Sequence, residues 1–190
     1  PRSTRKESSA ASDVYKRQEG IDINVTYGVD LADWGSINVD YAATILDTLD
    51  TVPFAGADVI ACRDLYAGQC GLPNPQFQHR LLGTWSTPFD GLRVAATWRH
   101  VGETTLYGLN ASAAARPEQM NDYMEARNYL DISGKYVLND NVTLRGGVNN
   151  ALAKDAPLST NVGTGTGNNN TYPGLFDVNR FWFLGATYRF

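Results

Sequence analysis

The sequence predicts an all-β fold, an antiparallel transmembrane β-meander of about seven strands. Apolar and polar residues alternate in seven segments, and a period of two is the period of a β-strand. Most segments are roughly ten residues long, which suits a tilted strand that crosses a bilayer. The connections alternate between short and long, as in outer-membrane barrels with tight turns at one end and long loops at the other.

The seven segments follow one another from residue 20 to the last residue. In the first, Ile21, Val25 and Val29 share one face, while Asp22 and Thr26 share the other. Short connections carry turn-forming residues, and the long ones are irregular and rich in Gly, Pro or Asn. The second long connection includes a candidate short helix at 111–124. The predicted strands cover 20–30, 36–45, 77–87, 92–99, 130–138, 142–149 and 180–190.

The closing segment, RFWFLGATYRF at 180–190, shows the alternation in its clearest form. Its second face is small or polar apart from Phe183. A strand with one apolar face and aromatics near both ends is typical of a membrane barrel, although it also fits the last strand of a soluble sandwich. A Greek-key sandwich gives no reason for short and long connections to alternate along the chain. The alternation across all seven segments therefore favours the barrel. The apolar face consists of Trp182, Leu184, Ala186, Tyr188 and Phe190.

Charged residues fall on the polar face of the predicted strands. We interpret this face as the lumen wall, where the charges anchor a plug or line a polar path for a substrate. The alternative for any single residue is that its charge has no specific role and only faces the water inside the barrel. The residues concerned are Asp22, Asp40, Arg80, Arg93, Arg99, Asp131, Lys135, Arg145 and Arg189.

The first eighteen residues differ from the rest of the chain. They lack alternation and are rich in Ser and basic residues, so we predict disorder from Pro1 to Gln18. The piece DVYKRQ, at 13–18, also resembles a translated sequencing adapter, which indicates a non-native leader on a protein that continues upstream of Glu19. The leader holds five basic and two acidic residues, so the formal charge of −4 becomes −7 without it. An acidic chain without a basic stripe predicts no nucleic-acid partner.

Two cysteines and two histidines are the candidates for special chemistry. Cys62 and Cys70 lie in the first long connection, and an oxidising exterior predicts a disulfide between them rather than a metal site. His79 and His100 are the only histidines, and neither adjoins a Ser–Asp pair in the sequence. No nucleophile motif of the G-x-S-x-G type is present, so we predict no enzyme and no cofactor, with an outer-membrane barrel enzyme as the weakest alternative.

Several stretches resemble TonB-dependent outer-membrane receptors. They are NYLDISGKYVLNDNVTLRGGVNNALAKDAP at 128–157, FLGATYRF at 183–190, PNPQFQHRLLGTWSTP at 73–88 and GIDINVTYGVDL near the start. The resemblance covers residues 19–190. It implies a multi-pass barrel of 22 strands in the outer membrane of a Gram-negative bacterium, of which this chain supplies the last seven.

The resemblance also implies the function and the partners. Such a receptor imports a bulky scarce solute, for example a siderophore, a vitamin or a glycan, and a passive porin is the alternative. Its partners are outer-membrane lipid, a plug domain and the TonB complex, and the last two would be reached through sequence absent here. The apolar face of 180–190, ending at Phe190, resembles the signal recognised by the barrel-assembly machinery, since an exposed strand edge can be captured by strand addition.

Overall fold

A computed structural model describes residues 15–108, 123–159 and 171–190 of the chain. In these residues the fold is all-β, with short 3-10 turns and no α-helix. Seven strands form one antiparallel path in the order β1-β2-β5-β6-β9-β10-β11. They are β1 (Tyr15–Asp30), β2 (Ser36–Val52), β5 (Phe77–Ser86), β6 (Leu92–Val101), β9 (Arg127–Val137), β10 (Val142–Asn149) and β11 (Phe181–Tyr188).

The strand register places most of the apolar residues of the seven strands on one face, with exceptions such as Leu82 and Phe183. Ile45 lies opposite Phe77, Leu81 opposite Trp98, and Val148 opposite Trp182. Since each pairing keeps the parity of the alternation, the strands share a single apolar face. Much of it is exposed, and the exposed fraction reaches 88% at Leu184.

Three short connections lie at one end of the sheet, here called the turn end. The first is the 3-10 turn Ala32–Trp34, followed by Gly35 at φ 84°. An added Cβ at Gly35 would lie 2.0 Å from the Ser86 carbonyl oxygen, so this position requires glycine. In the third turn the Asn139 carboxamide oxygen accepts from the backbone N–H of Val142 at 2.8 Å. These local turns join neighbouring strands directly, which produces the meander.

The long connections at the other end, here called the loop end, are more ordered than predicted. The first holds β3 (Ile60–Ala61), which pairs with β2, and β4 (Leu65–Tyr66), followed by the 3-10 turn Gly68–Cys70. The second holds β7 (Thr104–Leu106) and β8 (Tyr123–Met124), and β4, β7 and β8 form a separate three-stranded sheet. Of the candidate helix at 111–124, residues 111–122 lie outside the described residues and the last two are in β8.

The predicted boundary between a disordered leader and the first strand is wrong for residues 15–18. Tyr15 to Gln18 belong to β1, where they pair with residues Leu49 to Val52 of β2. The ladder shifts register between Glu19 and Gly20, so the strand crosses the predicted boundary through a bulge. The long extension of β2 explains this pairing, because its backbone groups need partners whatever side chains the neighbour carries. Residues 1–14 of the leader lie outside the described residues.

The sheet stays open among the described residues. The path begins at β1 and ends at β11, and these two strands do not pair with each other. The buried hydrophobic residues lie mainly at the loop end, where residues of the loops meet the strand ends at Val101 and Tyr129. The sheet therefore supplies a wall with one apolar and one polar face, and the loops supply the packed core.

Candidate functional site

The polar face of the sheet carries the charged residues that the sequence assigned to it. Eight lie on described strands with the same parity in the register, for example Arg80 opposite Arg99 and Lys135 opposite Arg145. Arg189 lies one residue beyond β11, and its backbone N–H donates to the Asn141 carbonyl oxygen at 2.8 Å. The face is therefore charged from β1 to β10.

The acidic residues of the first two strands are engaged by hydroxyl groups. Thr44 Oγ1 donates to Asp22 Oδ1 at 2.7 Å, and Thr26 Oγ1 donates to Asp40 Oδ1 at 2.9 Å. Both bonds cross from β1 to β2. Charge-assisted hydrogen bonds of this kind fix the carboxylates on the wall while leaving acceptor sites open.

Arg99 is the centre of an ion-pair network at the loop end of this face. Its Nε lies 3.0 Å from Asp131 Oδ2 on the neighbouring strand, and its Nη2 also contacts Asp177 of the third loop. The guanidinium lies over the Tyr129 ring, 5.1 Å from the centroid. Asp131 Oδ1 accepts in addition from the Asn150 backbone N–H at 2.8 Å. The network ties the third loop to β6 and β9.

The three long loops pack together above the loop end. One buried cluster joins Tyr66 of the first loop to Met124 of the second and Tyr172 and Phe176 of the third. The rings of Tyr66 and Tyr172 meet edge to face, with centroids 6.1 Å apart. Burial raises the pKa of the Tyr172 hydroxyl, because the ionised form would lose its hydration. The loops therefore form a packed cap.

Cys62 and Cys70 are joined by a disulfide, with their Cα atoms 5.3 Å apart. Both cysteines are buried beside Leu65, and Ile60 and Leu49 pack against them. The bridge lies next to β4, so it ties the first loop to the small sheet of the cap.

A pocket of 380 Å³ opens beneath the cap on the polar face. The third loop covers part of it with Gly174 and Leu175. Arg80 is exposed and makes no ion pair with any described residue, whereas Arg99 is held by its two carboxylates. The pocket can offer a solute one free cation beside hydrogen-bonding groups. Its polar lining residues are Asp22, Asn24, Thr44, Gln78, His79, Arg80, Arg99 and His100.

The two histidines lie on strand positions that have the parity of the apolar face, and both also line this pocket. His79 and His100 are directly opposite each other on β5 and β6, with stacked rings whose centroids are 5.5 Å apart. His100 Nδ1 lies 3.0 Å from Asn128 Oδ1, and His79 contacts the rings of Phe77 and Trp98. Their described neighbours are thus aromatic rings and an amide, and the arrangement is that of a packed cluster.

The closing strand exposes the side chains proposed as an assembly signal. Trp182, Leu184 and Tyr188 project from the apolar face of β11, and Trp182 is 70% exposed. The Tyr188 and Phe190 rings meet edge to face at 5.2 Å. Ala186 lies between Leu184 and Tyr188 on this face, opposite Leu144.

Two contributors to the site were missed by the sequence reasoning. Asp177 lies in an irregular loop with no periodic pattern, so no local signal links it to Arg99. Asn150 directly follows β10, where its buried side chain accepts from the Lys154 backbone N–H at 2.9 Å. The position of Asn150 directly after a predicted strand was a weak sequence signal for the turn that it forms with Lys154.

No protein-family model matches the chain, and neither a curated protein nor a solved structure matches it. Among the described residues, no helix has both the length and the apolar character needed to cross a membrane.

Proposed function

We propose that the chain is part of the barrel wall of a TonB-dependent outer-membrane receptor that imports a bulky, scarce solute. The observation that carries this proposal is a largely apolar face that keeps its parity across all seven strands of the main path and is exposed or half-buried at most positions. A soluble sheet would bury such a face against another layer. A lipid-facing wall leaves it exposed and keeps charges on the opposite, lumenal side.

The dimensions of the apolar face support a membrane crossing. On β5 it extends from Phe77 to Trp85, eight residue steps or about 26 Å along the strand. Trp85 near the turn end and Phe77 near the loop end place aromatic rings toward the two margins. Aromatic residues at both margins match the interfacial belts of membrane proteins.

The cap and the pocket favour a receptor and count against an open, passive channel. The packed loops close over part of the polar face and leave a pocket with a free Arg80. Loops placed by a rigid wall are where binding residues concentrate. The family itself is proposed from the likeness of residues 73–88, 128–157 and 183–190, and it places the solute pocket on the extracellular side.

Tryptophan quenching tests the membrane orientation. The chain has four tryptophans, and Trp85, Trp98 and Trp182 share the apolar face. In vesicles of lipids brominated on the acyl chain, each single-tryptophan variant of these three should be quenched strongly. A Phe183→Trp variant without other tryptophans is the matched control, because Phe183 has the opposite parity and should be quenched weakly. Equal quenching of tryptophans on both faces would refute the proposal that the sheet is a membrane-spanning wall with its apolar face toward lipid.

The native gene upstream of Glu19 separates a receptor from a passive porin. A receptor requires several hundred further codons that encode a plug and a TonB-contacting segment. A gene that encodes only a barrel would contradict the receptor and leave the porin.

We also propose that the barrel-assembly machinery recognises the exposed strand β11 through Phe190. Deleting Phe190 from the full-length receptor should lower the amount inserted in the outer membrane and leave unfolded protein in the periplasm. Phe89→Ala is the control, because Phe89 is an exposed aromatic in a turn at 70% exposure. Unchanged insertion after the Phe190 deletion would make it an ordinary interfacial aromatic.

A further inference from the structure

A groove of 380 Å³ lies on the apolar face where β6, β9, β10 and β11 run side by side. Its floor is formed by Gly134 and Gly146, which are directly opposite each other in the register. Most of its lining residues have the parity of the apolar face, and the others are their strand neighbours Ser133, Gly147 and Phe183. We call the groove the glycine notch, and its rim consists of Val94, Ile132, Trp182 and Leu184.

The backbone does not require both glycines of the notch. Neither has a positive φ, so a side chain would not strain the backbone at either position. A Cβ added at Gly134 would meet nothing nearer than 3.8 Å, at the Arg93 carbonyl oxygen. At Gly146 the nearest atoms would be 3.3 Å away and include Leu184 Cδ1, the end of a flexible side chain. Glycine inside a strand weakens it and often marks a place that a ligand approaches closely, so the notch calls for an occupant.

Trp182 brings a hydrogen-bond donor to the rim of the notch. Trp85 and Trp98, the other tryptophans with the parity of this face, donate their indole N–H groups to a backbone oxygen and an amide oxygen. The Trp182 indole N–H has no acceptor among the described residues. An indole at a membrane interface takes its acceptor from its surroundings, because its ring is apolar and its N–H is polar.

Arg180 supplies a positive charge on the loop-end side of the notch. It immediately precedes β11, lies on the apolar parity of that strand and is exposed. The acidic residues of its loop are Asp155 and Asp177, and neither forms an ion pair with Arg180 in the part of the loop that the structure describes, since Asp177 is held by Arg99. From Arg180 to Leu184 there are four residue steps, or about 13 Å along the strand. The charge therefore lies above the notch, at its loop-end side.

We propose that the glycine notch and Arg180 bind a lipid with an anionic phosphate headgroup and hold one of its acyl chains in the notch. The guanidinium and the Trp182 indole N–H donate to the phosphate oxygens, and the acyl chain fills the space beside Gly134. An apolar chain that ends in an anionic group complements both the groove and the charge, whereas an apolar protein surface would leave Arg180 without a counter-charge. The proposal rests on the proposed function, because only a lipid-facing wall meets a lipid there.

Selective quenching of Trp182 tests the site. The chain with Trp182 as its only tryptophan is placed in phosphatidylcholine vesicles that contain a small fraction of either phosphatidylglycerol or phosphatidylcholine with brominated acyl chains. Brominated phosphatidylglycerol should act at Trp182 as if it were enriched about threefold or more, the order of attraction that one cation exerts on anionic lipid. The preference should decline as salt is raised. The chain with only Trp85 is the internal control and should show no preference, because Trp85 lies on the same face away from the notch.

Two substitutions separate the charge from the groove. Arg180→Gln should reduce the preference at Trp182 to less than about 1.5-fold, while Lys16→Gln removes an exposed charge on β1 and should leave it unchanged. Gly134→Leu should also abolish the preference, because the new side chain fills the notch. Gly83→Leu is its matched control, since Gly83 has the same parity and its added Cβ would meet nothing nearer than 4.0 Å. A preference that survives Arg180→Gln or Gly134→Leu would overturn the proposal.

A smaller substitution protects the test against a failure to fold. The Cβ of Gly134→Ala meets only ordinary contacts, so this variant should insert into vesicles as the unmodified chain does. It should lower the preference for the anionic lipid, because the methyl group narrows the notch. An unchanged preference in Gly134→Ala would contradict the proposal.

Three further outcomes separate the alternatives. Quenching of Trp182 that rises equally with both lipids as the protein is diluted in lipid would assign the notch to a second copy of the chain and overturn the lipid site. Strong quenching of Trp85 and Trp182 without any preference would overturn the lipid site alone and leave the membrane wall. Weak quenching of both tryptophans would refute the membrane wall, and the lipid site with it.

Discussion

At the scale of single residues, the space beside a glycine decides which strand positions accept a side chain. A Cβ added at Gly147 would lie 2.5 Å from the Ile132 carbonyl oxygen and 2.9 Å from Ser133 Cα. Both atoms belong to backbone, which cannot rotate away. At Gly83, on β5, the nearest atom would be 4.0 Å away, at the carbonyl oxygen of Ala96. The two glycines lie on opposite faces of the sheet, and only Gly147 is crowded by neighbouring backbone.

We therefore predict that Gly147→Ala lowers the free energy of unfolding by about 1–3 kcal/mol, as overpacking does. Gly83→Ala is the matched control and should change it by less than about 0.5 kcal/mol or raise it slightly, because alanine reduces the entropy of the unfolded chain. Denaturant unfolding in detergent measures both. Equal effects of the two substitutions would show that the register around Gly147 is wrong.

Arg99 is the residue on which the third loop depends. Its side chain and those of Asp131 and Asp177 are between 22% and 29% exposed, so the ion pairs are only partly screened by water. Arg99→Ala leaves two carboxylates without their cation and should cost about 1–3 kcal/mol. The loop should then open, and chymotrypsin should cut faster at Phe176.

Arg80→Ala is the control for Arg99, since Arg80 lies directly opposite on the same face and makes no described ion pair. Its cleavage rate should stay near that of the unmodified chain. If the two variants are cut at the same rate, the Arg99 network does not hold the loop.

At the scale of elements, the alternation predicted the seven strands because strand periodicity is a local signal. The alternation failed to predict the full length of β2, where backbone pairing with β1 forms a strand without an alternating sequence. Leu46, Leu49 and Val52 are three residues apart, yet they lie in β2. The packing of the long loops into a cap could not be predicted from the sequence for a different reason. Tyr66 and Tyr172 meet across 106 residues of chain, and no local pattern reports such a contact. The charged face was predicted because it shares the strand period, whereas Asp177 was not because it lies in a loop.

The disulfide is an element-scale restraint on the cap. It closes a small ring around the turn that follows β4, and it should stabilise the first loop by about 2–3 kcal/mol through the entropy of the open chain. Its replacement in Cys62→Ser/Cys70→Ser should speed amide exchange across residues 60–72. Amides in β10 serve as the internal control and should keep their protection, because no β10 residue belongs to the buried cluster that contains Tyr66. Faster exchange throughout the sheet would show that the loop and wall unfold together.

At the scale of the whole molecule, the main path of the described sheet ends at two edge strands, β1 and β11. An edge presents unpaired N–H and C=O groups that can pair with another chain. The Arg189 N–H donates toward β10, so by strand alternation the N–H of Thr187 points the same way. The N–H of Ala186 then points outward, to the free edge. The N–H groups of adjacent β11 residues therefore point to different sides, that of Thr187 toward β10 and that of Ala186 toward the free edge.

We predict that the isolated chain self-associates in detergent through this edge. Ala186→Pro removes only an outward donor, which edge strands tolerate, so it should reduce the oligomer and preserve the β10–β11 hairpin. Thr187→Pro removes a ladder bond and should unfold the hairpin instead. Sedimentation measures association, and amide exchange of residues 142–149 reports on the hairpin. If Ala186→Pro leaves the oligomer unchanged while β11 stays folded, association occurs through β1 or through the apolar face, and the edge of β11 is not the contact.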